Sequence, residues 1–399
     1  MCGLRIWTMR QRIADVTGLK GRIKRGLAWR WSEIRRNGAD LTGALQYWLA
    51  RRSGAVKHTQ GTQHPAERIA IYVMYPQQGL RTSHLHALRA ILDCGYVTLV
   101  VSNLPLTELE REKLAPLVWK MLERPNFGYD FGAYREGIQT VAPMLAGLQR
   151  LVLMNDSVWF PLPGGADWPL KAEAIGTDVV GAVSNCGVAM PEPSALDGFR
   201  WVYDPGLPEF HYCSFALSFG PQALSDPAFQ RFWARIRLTN NKFHTVLRGE
   251  VALSRALISA RLSHSETLDI KDLGARLGVL REVDLKRFVE ELAIPEDTKL
   301  EAMRQRILAE PDGPGRHQQL LLAALGIVAL TGPAYAMPAF AYDALRHPFL
   351  KKSPLRLSRP AAEASLRLSA RLPGSYGAAI HSEAREIAVA RFGETIGLD

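Results

Sequence analysis

Short apolar runs alternate with amphipathic stretches from residue 68 onwards. RIAIYVMYP (68–76) is rich in β-branched and aromatic residues, which favours a strand, and LRTSHLHALRAILDC (80–94) has helical spacing. YVTLVVSN (96–103) is a second apolar strand. Together these three segments predict a βαβ unit.

The alternation continues with a helix over 108–117, a strand over 118–122, a helix after Asp130 and the apolar strand LQRLVLM (148–154). This order favours a parallel, doubly wound sheet, in which ligands bind beyond the carboxyl ends of the strands. The sequence therefore predicts an α/β protein whose site lies at one edge of a mostly parallel sheet flanked by helices.

The pattern divides the chain into four parts: a basic amphipathic helical arm (1–57), a linker (58–67), an α/β domain (68–270) and a helical carboxy-terminal region (271–399). No residue from Gln318 to Tyr342 is charged, but the purely apolar core of this stretch is only the eleven residues Leu320–Leu330. A membrane-spanning helix needs about 20 such residues, so a buried helix is predicted.

The net charge of +10 is concentrated in the amino-terminal arm. Residues 1–57 hold thirteen Lys or Arg and three acidic residues, and the remaining residues are neutral overall. Ile, Leu and Trp are interleaved with these charges, which suits helices lying on an anionic membrane surface. The alternative is a solvated arm packed on the main domain through its Trp side chains. The neutral main domain argues against nucleic-acid binding.

Cysteine usage and the amino terminus bear on the compartment. Cys2, Cys94, Cys186 and Cys213 are widely scattered and form no CxxC motif or Cys/His cluster. This argues against a disulfide framework or a zinc site, and indicates a reducing cytoplasm. The first residues lack a continuous apolar segment and a small-residue cleavage site, so no secretory signal is predicted.

A polar, glycine-rich turn lies between the third predicted strand and its helix. In NFGYDFG (126–132), Gly128 permits close backbone approach, while Asn126 and Asp130 offer hydrogen-bond acceptors. The alternative is that Asp130 only caps the helix that follows.

A second polar turn, Asn155, Asp156 and Ser157, comes directly after a buried strand. A carboxylate there can hold a divalent cation or a ribose hydroxyl, although Asp156 could also only cap the turn before Pro161. GxGxxG and GxxxxGK[ST] are both missing from the sequence, so a nucleotide bound here would use other machinery. Both turns should share one edge of the sheet, which favours a binding site.

Five longer motifs follow one another along the chain: NFGYDFGAYREG (126–137), LVLMNDSVWFPL (151–162), DVVGAVSN (178–185), HYCSFALSFGPQALSDPAFQRFWARI (211–236) and GEVALS (249–254). They resemble the rhamnan synthesis protein F family of bacterial glycosyltransferases. HPFLKKSPLR (347–356) looks like the family's carboxy-terminal signature. The resemblance runs over about residues 68–260 and again near 343–356, where the chain would return to the active site.

The resemblance implies a GT-A-like, Rossmann-type fold and an inverting sugar transfer. The family's characteristic donor is dTDP-L-rhamnose, and its acceptors are lipid-linked precursors of surface polysaccharides such as rhamnan of the cell wall or lipopolysaccharide O-antigen. It implies a cytoplasmic enzyme, peripheral at the inner face of the cell membrane. No residue visibly reads thymine or the rhamnose methyl group. The alternative is a non-catalytic scaffold that binds a glycan or a nucleotide within a polysaccharide assembly complex.

Asp156 is the expected contact to the donor or to a metal, supported by Asp130. GT-A enzymes commonly have Asp-x-Asp at this position, whereas this chain has Asn155, Asp156 and Ser157, so one carboxylate is missing. A divalent cation, Mg²⁺ or Mn²⁺, is therefore an open expectation. Without one, basic side chains must neutralise the leaving group, and the candidates from matching motifs are Arg124, Arg135, Lys351 and Lys352.

Three further residues are candidates on the acceptor side. Glu250 follows Gly249 at the predicted start of a helix, where the helix dipole favours an ionised carboxylate, and is the expected catalytic base; a routine helix-stabilising role is the alternative. His211 could orient the acceptor or contact a phosphate, or be a buried structural histidine. Trp159 could line the sugar pocket, with packing as the competing role. Tyr212, Phe215 and Phe219 fit a half-buried strand.

Overall fold

The computed structural model describes residues 56–191, 198–294 and 297–397, together with residues 42, 45, 47–49, 52 and 196. The predicted basic arm over 1–57 lies largely outside these residues. Its membrane role therefore stays a prediction.

The described strands form one large sheet and two small ones. Their bounds are β1 Lys57–Gln60, β2 Arg68–Met74, β3 Val97–Ser102, β4 Lys120–Glu123, β5 Arg150–Asn155, β6 Val158–Trp159, β7 Val179–Gly181, β8 Ser184–Asn185, β9 His211–Tyr212, β10 Ala216–Phe219, β11 His264–Glu266 and β12 Leu350–Lys351.

The large sheet has the strand order β1-β4-β3-β2-β5-β10-β7-β11. β2 pairs in parallel with β3 and β5, β3 with β4, and β7 with β11. Only β1, at one edge, and β10, between β5 and β7, run antiparallel to their neighbours in this sheet. The prediction of an α/β fold with a mostly parallel sheet is confirmed.

Helices cover the sheet and make up most of the carboxy-terminal region. Their bounds are α1 Thr82–Asp93, α2 Glu108–Leu114, α3 Tyr129–Val141, α4 Trp168–Ala174, α5 Pro221–Ser225, α6 Pro227–Arg235, α7 Lys242–Thr245, α8 Ala252–Ser259, α9 Leu273–Gly278, α10 Glu282–Glu291, α11 Thr298–Ala309, α12 Arg316–Thr331, α13 Pro333–Ala336, α14 Pro338–Asp343, α15 Arg359–Ala370 and α16 Gly374–Phe392. Residues Val246–Val251, between α7 and α8, form a π-helix.

The alternation of side chains along β2 explains how one sheet supports two cores. Ala70, Tyr72 and Met74 pack into a cluster on one face, and Ile69, Ile71 and Val73 into a cluster on the other. Both sets are buried because helices cover both faces, so the strand appears in the sequence as a continuous apolar run.

The apolar core of the uncharged stretch, residues 320–330, lies within the single helix α12 and is largely buried, as its length predicted. Leu320, Ile327 and Val328 of α12 pack into the same core cluster as β2. Among the described residues, the structure has no helix that is both long and apolar enough to cross a membrane.

The stretch HYCSFALSF differs from its predicted half-buried strand. It forms two short strands, β9 and β10, and all of its residues are buried. The reason is that β10 is inserted between β5 and β7 in the middle of the large sheet, where neither face reaches solvent.

Candidate active site at the carboxyl edge of the sheet

Asp156 is held at the point where β5 ends beside β2. Its backbone N–H donates to the carbonyl oxygen of Val73 over 3.0 Å, which continues the parallel pairing by one residue. Its Oδ2 atom accepts the backbone N–H of Tyr75 over 2.8 Å and lies 3.4 Å from Nε2 of His84. The carboxylate is therefore oriented by two donors from the segment that follows β2.

His84, in the first turn of α1, is a partner of Asp156 that the sequence interpretation missed. Its Nδ1 atom accepts the backbone N–H of Arg81 over 3.1 Å, so the proton of the neutral ring lies on Nε2, which faces Asp156. Burial alone would raise the pKa of Asp156, but the contacts with His84, Lys352 and the Tyr75 N–H outweigh it and lower that pKa. Asp156 is ionised at neutral pH.

Asp130 lies in the first turn of α3. Gly128, at a φ of 81°, is the residue before this helix, so Asp130 is not its N-cap. Burial, together with the charges of Asp156 and Glu250 and against the opposing charge of Lys351, raises the pKa of Asp130 to about 6. The charge of Asp156 acts on Asp130, so the two predicted polar turns lie within electrostatic reach of each other.

Lys351 and Lys352 reach the same site from the far end of the chain. β12, which contains Lys351, pairs antiparallel with β6, and the backbone N–H of Lys352 donates to the carbonyl oxygen of Ser157 over 3.0 Å. The Lys351 ammonium lies 3.5 Å from Oγ of Ser157 and 4.5 Å from the ring centroid of Phe215.

Burial lowers the pKa of both lysines, and the site's carboxylates oppose this effect. For Lys351 the opposing charges include Glu250 and Asp130; for Lys352 they include Asp156. Lys351 is thus coupled to Glu250 and Asp130, and Lys352 to Asp156. Two partly desolvated ammonium groups are suited to receive a diphosphate.

Glu250 is not at the start of a helix, which corrects the prediction. It lies inside the π-helix that joins α7 to α8, so the dipole of a helix amino terminus does not act on it. Its Oε1 atom accepts both the backbone N–H of Ser214, over 2.9 Å, and the Oγ–H of the same residue, over 2.7 Å. The turn between β9 and β10 therefore holds this carboxylate through two hydrogen bonds.

Gly249 allows the π-helix to approach the NFGYDFG turn. A Cβ atom at this position would lie 2.5 Å from two ring carbons of Phe131, in the first turn of α3. Only glycine fits this contact, so the segment carrying Glu250 and the segment carrying Asp130 lie against each other. π-helical turns are frequent at functional sites.

His211 and Trp159 are both fully buried, so neither lines a substrate pocket. Nε2 of His211 lies 3.9 Å from Oε2 of Glu250, behind the carboxylate. The indole N–H of Trp159 donates to Oε2 of Glu383 in α16 over 2.8 Å. Ser83 also donates to this glutamate, over 2.7 Å. The competing role, packing, is the one the structure favours for Trp159.

Arg124 is buried and already engaged. Its guanidinium donates to Oδ1 of Asn103 over 2.5 Å, to the carbonyl oxygen of Phe127 over 2.6 Å and to the hydroxyl of Tyr47 over 3.3 Å. It therefore shapes the NFGYDFG turn and is not placed to neutralise a leaving group.

The remaining residues predicted to bind the donor differ in burial and in hydrogen bonding. Asn126 is exposed on its turn, and Gly128 is buried. Oδ1 of Asn155 accepts the backbone N–H of Ser157 over 3.0 Å, which shapes the turn around Asp156. Arg135 is half-buried in α3, and its Nε atom lacks a hydrogen-bond partner among the described residues.

The residues at this edge offer few ligands to a divalent cation. Nowhere in the described ranges do three or more His, Cys, Asp or Glu side chains form a group that could hold a metal ion. Mg²⁺ can nevertheless be bound by one or two carboxylates when substrate phosphates supply other ligands. Asp156, together with Asp130, would be the residues to hold it.

Replacing Asp130 by asparagine is expected to stabilise the protein at alkaline pH. A carboxyl whose pKa is about 6 in the folded protein and about 3.9 in the unfolded chain binds its proton more tightly when folded, so its ionisation costs stability above pH 6. With partial solvent screening, we expect a gain of about 1–2 kcal/mol in the free energy of unfolding at about pH 8, shrinking towards pH 4.

Urea unfolding of both proteins across this pH range is the measurement. Asp167→Asn is the control, because Asp167 is exposed in an ion pair with Lys171. A gain from Asp130→Asn that is the same at every pH would contradict the electrostatic origin of the effect.

Comparison with known structures and proteins gives three kinds of match. Core-mannan synthase A from Aspergillus fumigatus, in a Mn/GDP form, is 10% identical, with a TM-score of 0.29 over 50% of this chain and 71% of that one. The mannosyltransferase Ktr4p from S. cerevisiae is 10% identical, with a TM-score of 0.28 over 52% of this chain and 69% of that one. Scores at this level carry no argument about this chain.

An uncharacterized protein, y4gN, of Sinorhizobium fredii is 29% identical over 234 residues, which is 56% of this chain. The chain spans 57% of the length of that relative. The family match begins within β3 and extends past the π-helix to α10. β2 and the segment 343–356 lie outside it. Over residues 98–285 the chain matches the family described as Rhamnan synthesis protein F, which confirms the resemblance predicted from its motifs.

Proposed function

We propose that the protein is a glycosyltransferase that moves a sugar from a nucleoside diphosphate donor to a glycan acceptor by an inverting single displacement. The family match supports sugar transfer. The observation that carries the proposal is the convergence of Asp156, Asp130, Glu250 and the lysine pair, from four separate segments, at one carboxyl edge of the sheet.

The donor side of the reaction is assigned to Asp156 and the lysines. The ionised Asp156 accepts a hydrogen bond from a ribose hydroxyl of the donor. Lys351 and Lys352 bind the diphosphate and neutralise the charge that develops as it leaves. Charge stabilisation of this kind is most effective when the cations are held in place and partly desolvated, as these two are.

The acceptor side is assigned to Glu250. This carboxylate removes the proton of the attacking hydroxyl as the new glycosidic bond forms on the opposite side of the sugar from the leaving diphosphate. When bound, Mg²⁺ or Mn²⁺ would neutralise part of the diphosphate charge, with Asp156 and Asp130 as its protein ligands.

The finer assignments extend the resemblance to the rhamnan synthesis protein F family beyond sugar transfer itself. We infer dTDP-L-rhamnose as the donor and a lipid-linked precursor of rhamnan or O-antigen type as the acceptor. The glycosyltransferase domain comprises residues 68–270, and residues 343–356 return to complete its site. The positive charge of residues 1–57 would hold the enzyme at the inner face of the cell membrane.

Calorimetric binding of dTDP, UDP and GDP, each with and without Mg²⁺ or Mn²⁺, tests the proposal. One nucleotide should bind to the wild type and bind at least tenfold more weakly to Asp156→Asn, while the exposed Asp167→Asn should behave as wild type. If none of the nucleotides binds under any condition, the enzyme proposal fails and the non-catalytic glycan-binding scaffold replaces it.

A further inference from the structure

We propose that Glu250 and the buried His211 form a pair that takes up the proton of the acceptor hydroxyl, and that Ser214 determines which oxygen of Glu250 acts as the base. The inference rests on the proposed sugar transfer and adds to it two positioning residues. It assigns His211 to the carboxylate rather than to the substrate.

Ser214 makes the two oxygens of Glu250 chemically unequal. Oε1 accepts two hydrogen bonds from this one residue, from the backbone N–H and from the hydroxyl. An oxygen with two donors has its charge satisfied and is the weaker base. Oε2 accepts neither of these bonds, so it is the oxygen left to receive a proton. The Glu250 side chain is 15% exposed, which gives an acceptor hydroxyl access to it.

His211 presents a hydrogen-bond acceptor to that same oxygen. Its Nδ1 atom lies 2.7 Å from the carbonyl oxygen of Glu209, and because a carbonyl only accepts, Nδ1 carries the proton of the neutral ring. Nε2 is then an acceptor. It is fully buried, has no hydrogen-bond partner in the described part of the chain, and faces Oε2 of Glu250 at 3.9 Å.

Two acceptors that face each other are complementary to a single proton. With Glu250 ionised and His211 neutral, no hydrogen lies between Oε2 and Nε2, and a buried acceptor without a donor is costly. Once Oε2 is protonated, its O–H can donate to Nε2 when the two atoms close from 3.9 Å to hydrogen-bond distance. The pair is therefore stabilised by the event that catalysis requires, namely the arrival of a proton on Glu250.

The step balances without any further reactant. The acceptor O–H bond breaks as the acceptor oxygen forms its bond to the sugar's anomeric carbon, and the bond from that carbon to the diphosphate oxygen breaks with its electron pair leaving on the diphosphate. The proton passes to Oε2 of Glu250 and is held between Oε2 and Nε2 of His211. It returns to solvent after the product leaves.

The competing explanation is that His211 is purely structural. A substitution that replaces only one of its two ring nitrogens separates the structural role from the proton-accepting role. Asparagine can place its amide nitrogen near the position of Nδ1 and keep the bond to the Glu209 carbonyl, but it has no atom at the position of Nε2. His211→Asn therefore keeps the structural contact and removes the proton acceptor.

The experiment measures kcat and kcat/KM between about pH 5 and 9, with the sugar donor of whichever nucleotide binds in calorimetry. For His211→Asn we expect kcat to fall by about 10- to 100-fold with KM for the donor unchanged. The acidic limb of the profile should move to lower pH by about one unit, because Glu250 alone holds the proton less tightly than the pair does.

Ser214→Ala is the second variant, in case the buried histidine position does not tolerate a change. Loss of the hydroxyl donor should make Glu250 more basic and move the acidic limb to higher pH, whereas Ser214→Thr, which keeps a hydroxyl, should restore the wild-type profile. If the variants turn over with unchanged kcat and an unchanged pH profile, the proposed role of the Glu250–His211 pair is wrong, while the proposed transferase function still stands. Nucleotide binding without turnover by the wild type would overturn both.

Discussion

Glu250→Gln is expected to lower kcat by about 10²- to 10⁴-fold while nucleotide affinity stays within a factor of about two. The amide oxygen of glutamine can still accept both hydrogen bonds from Ser214, so the π-helix keeps its anchor. The amide cannot take a proton, however, and the attacking hydroxyl loses its base. The measurement is single-turnover sugar transfer together with calorimetric binding of the nucleotide.

Glu108→Gln is the control that measures how much replacing a helical glutamate by glutamine affects stability and turnover in general. Glu108 lies in the first turn of α2 and is 80% exposed in an ion pair with Arg111. We expect both variants to unfold within a few degrees of the wild type and only Glu250→Gln to lose turnover. Retained turnover in Glu250→Gln would reject Glu250 as the base and leave it only the role of anchoring the π-helix to Ser214.

Lys351→Met should have the second largest effect, a fall of about 10²- to 10³-fold in kcat/KM. Its ammonium lies beside Ser157 and over the ring of Phe215, and it shares the site with Glu250 and Asp130. Methionine keeps an apolar chain of similar length against the ring but leaves the leaving diphosphate with one cation fewer. Affinity for a nucleoside diphosphate should fall more than affinity for the monophosphate, as measured by calorimetry.

Lys120→Met is the matched control for this change. Lys120 is also half-buried on a strand and also lies over an aromatic ring, with its ammonium 5.3 Å from the centroid of Trp119. It begins β4, so it lies at the opposite, amino edge of the sheet. We expect this variant to bind and turn over as the wild type does. Equal losses in both variants would mean that the effect comes from stability and not from the diphosphate.

The central part of the fold could be predicted because its signals are local. Each of β2, β3 and β5 is a continuous apolar run, and the helices between them have regular spacing, so the predicted segments overlap the observed ones. The strand order could not be predicted, because it depends on pairing between distant segments. The insertion of β10 between β5 and β7 is one such pairing.

The sequence indicated the carboxylates and lysines of the candidate site but not what holds them. His84 lies on the face of α1 that also buries Ala87, Leu88 and Ile91. A histidine at that spacing on an apolar face was the feature of the sequence that could have identified it as a partner of Asp156. No comparable signal marks the π-helix around Glu250, because nothing in the sequence pattern of so short a segment distinguishes i→i+5 from i→i+4 hydrogen bonding. The sequence left the role of Trp159 open between pocket lining and packing, because its partner, Glu383, is 224 positions away.

The pairing of β12 with β6 also has a consequence for synthesis of the chain on the ribosome. Ser157 and Lys351 are 194 positions apart, so a nascent chain that has completed the central sheet still lacks both lysines. Until that segment emerges, β6 has an open edge, and Trp159 lacks the neighbours from α15 and α16 that bury it. An unfinished chain would therefore have no place to hold a diphosphate, and would instead expose a surface that chaperones recognise.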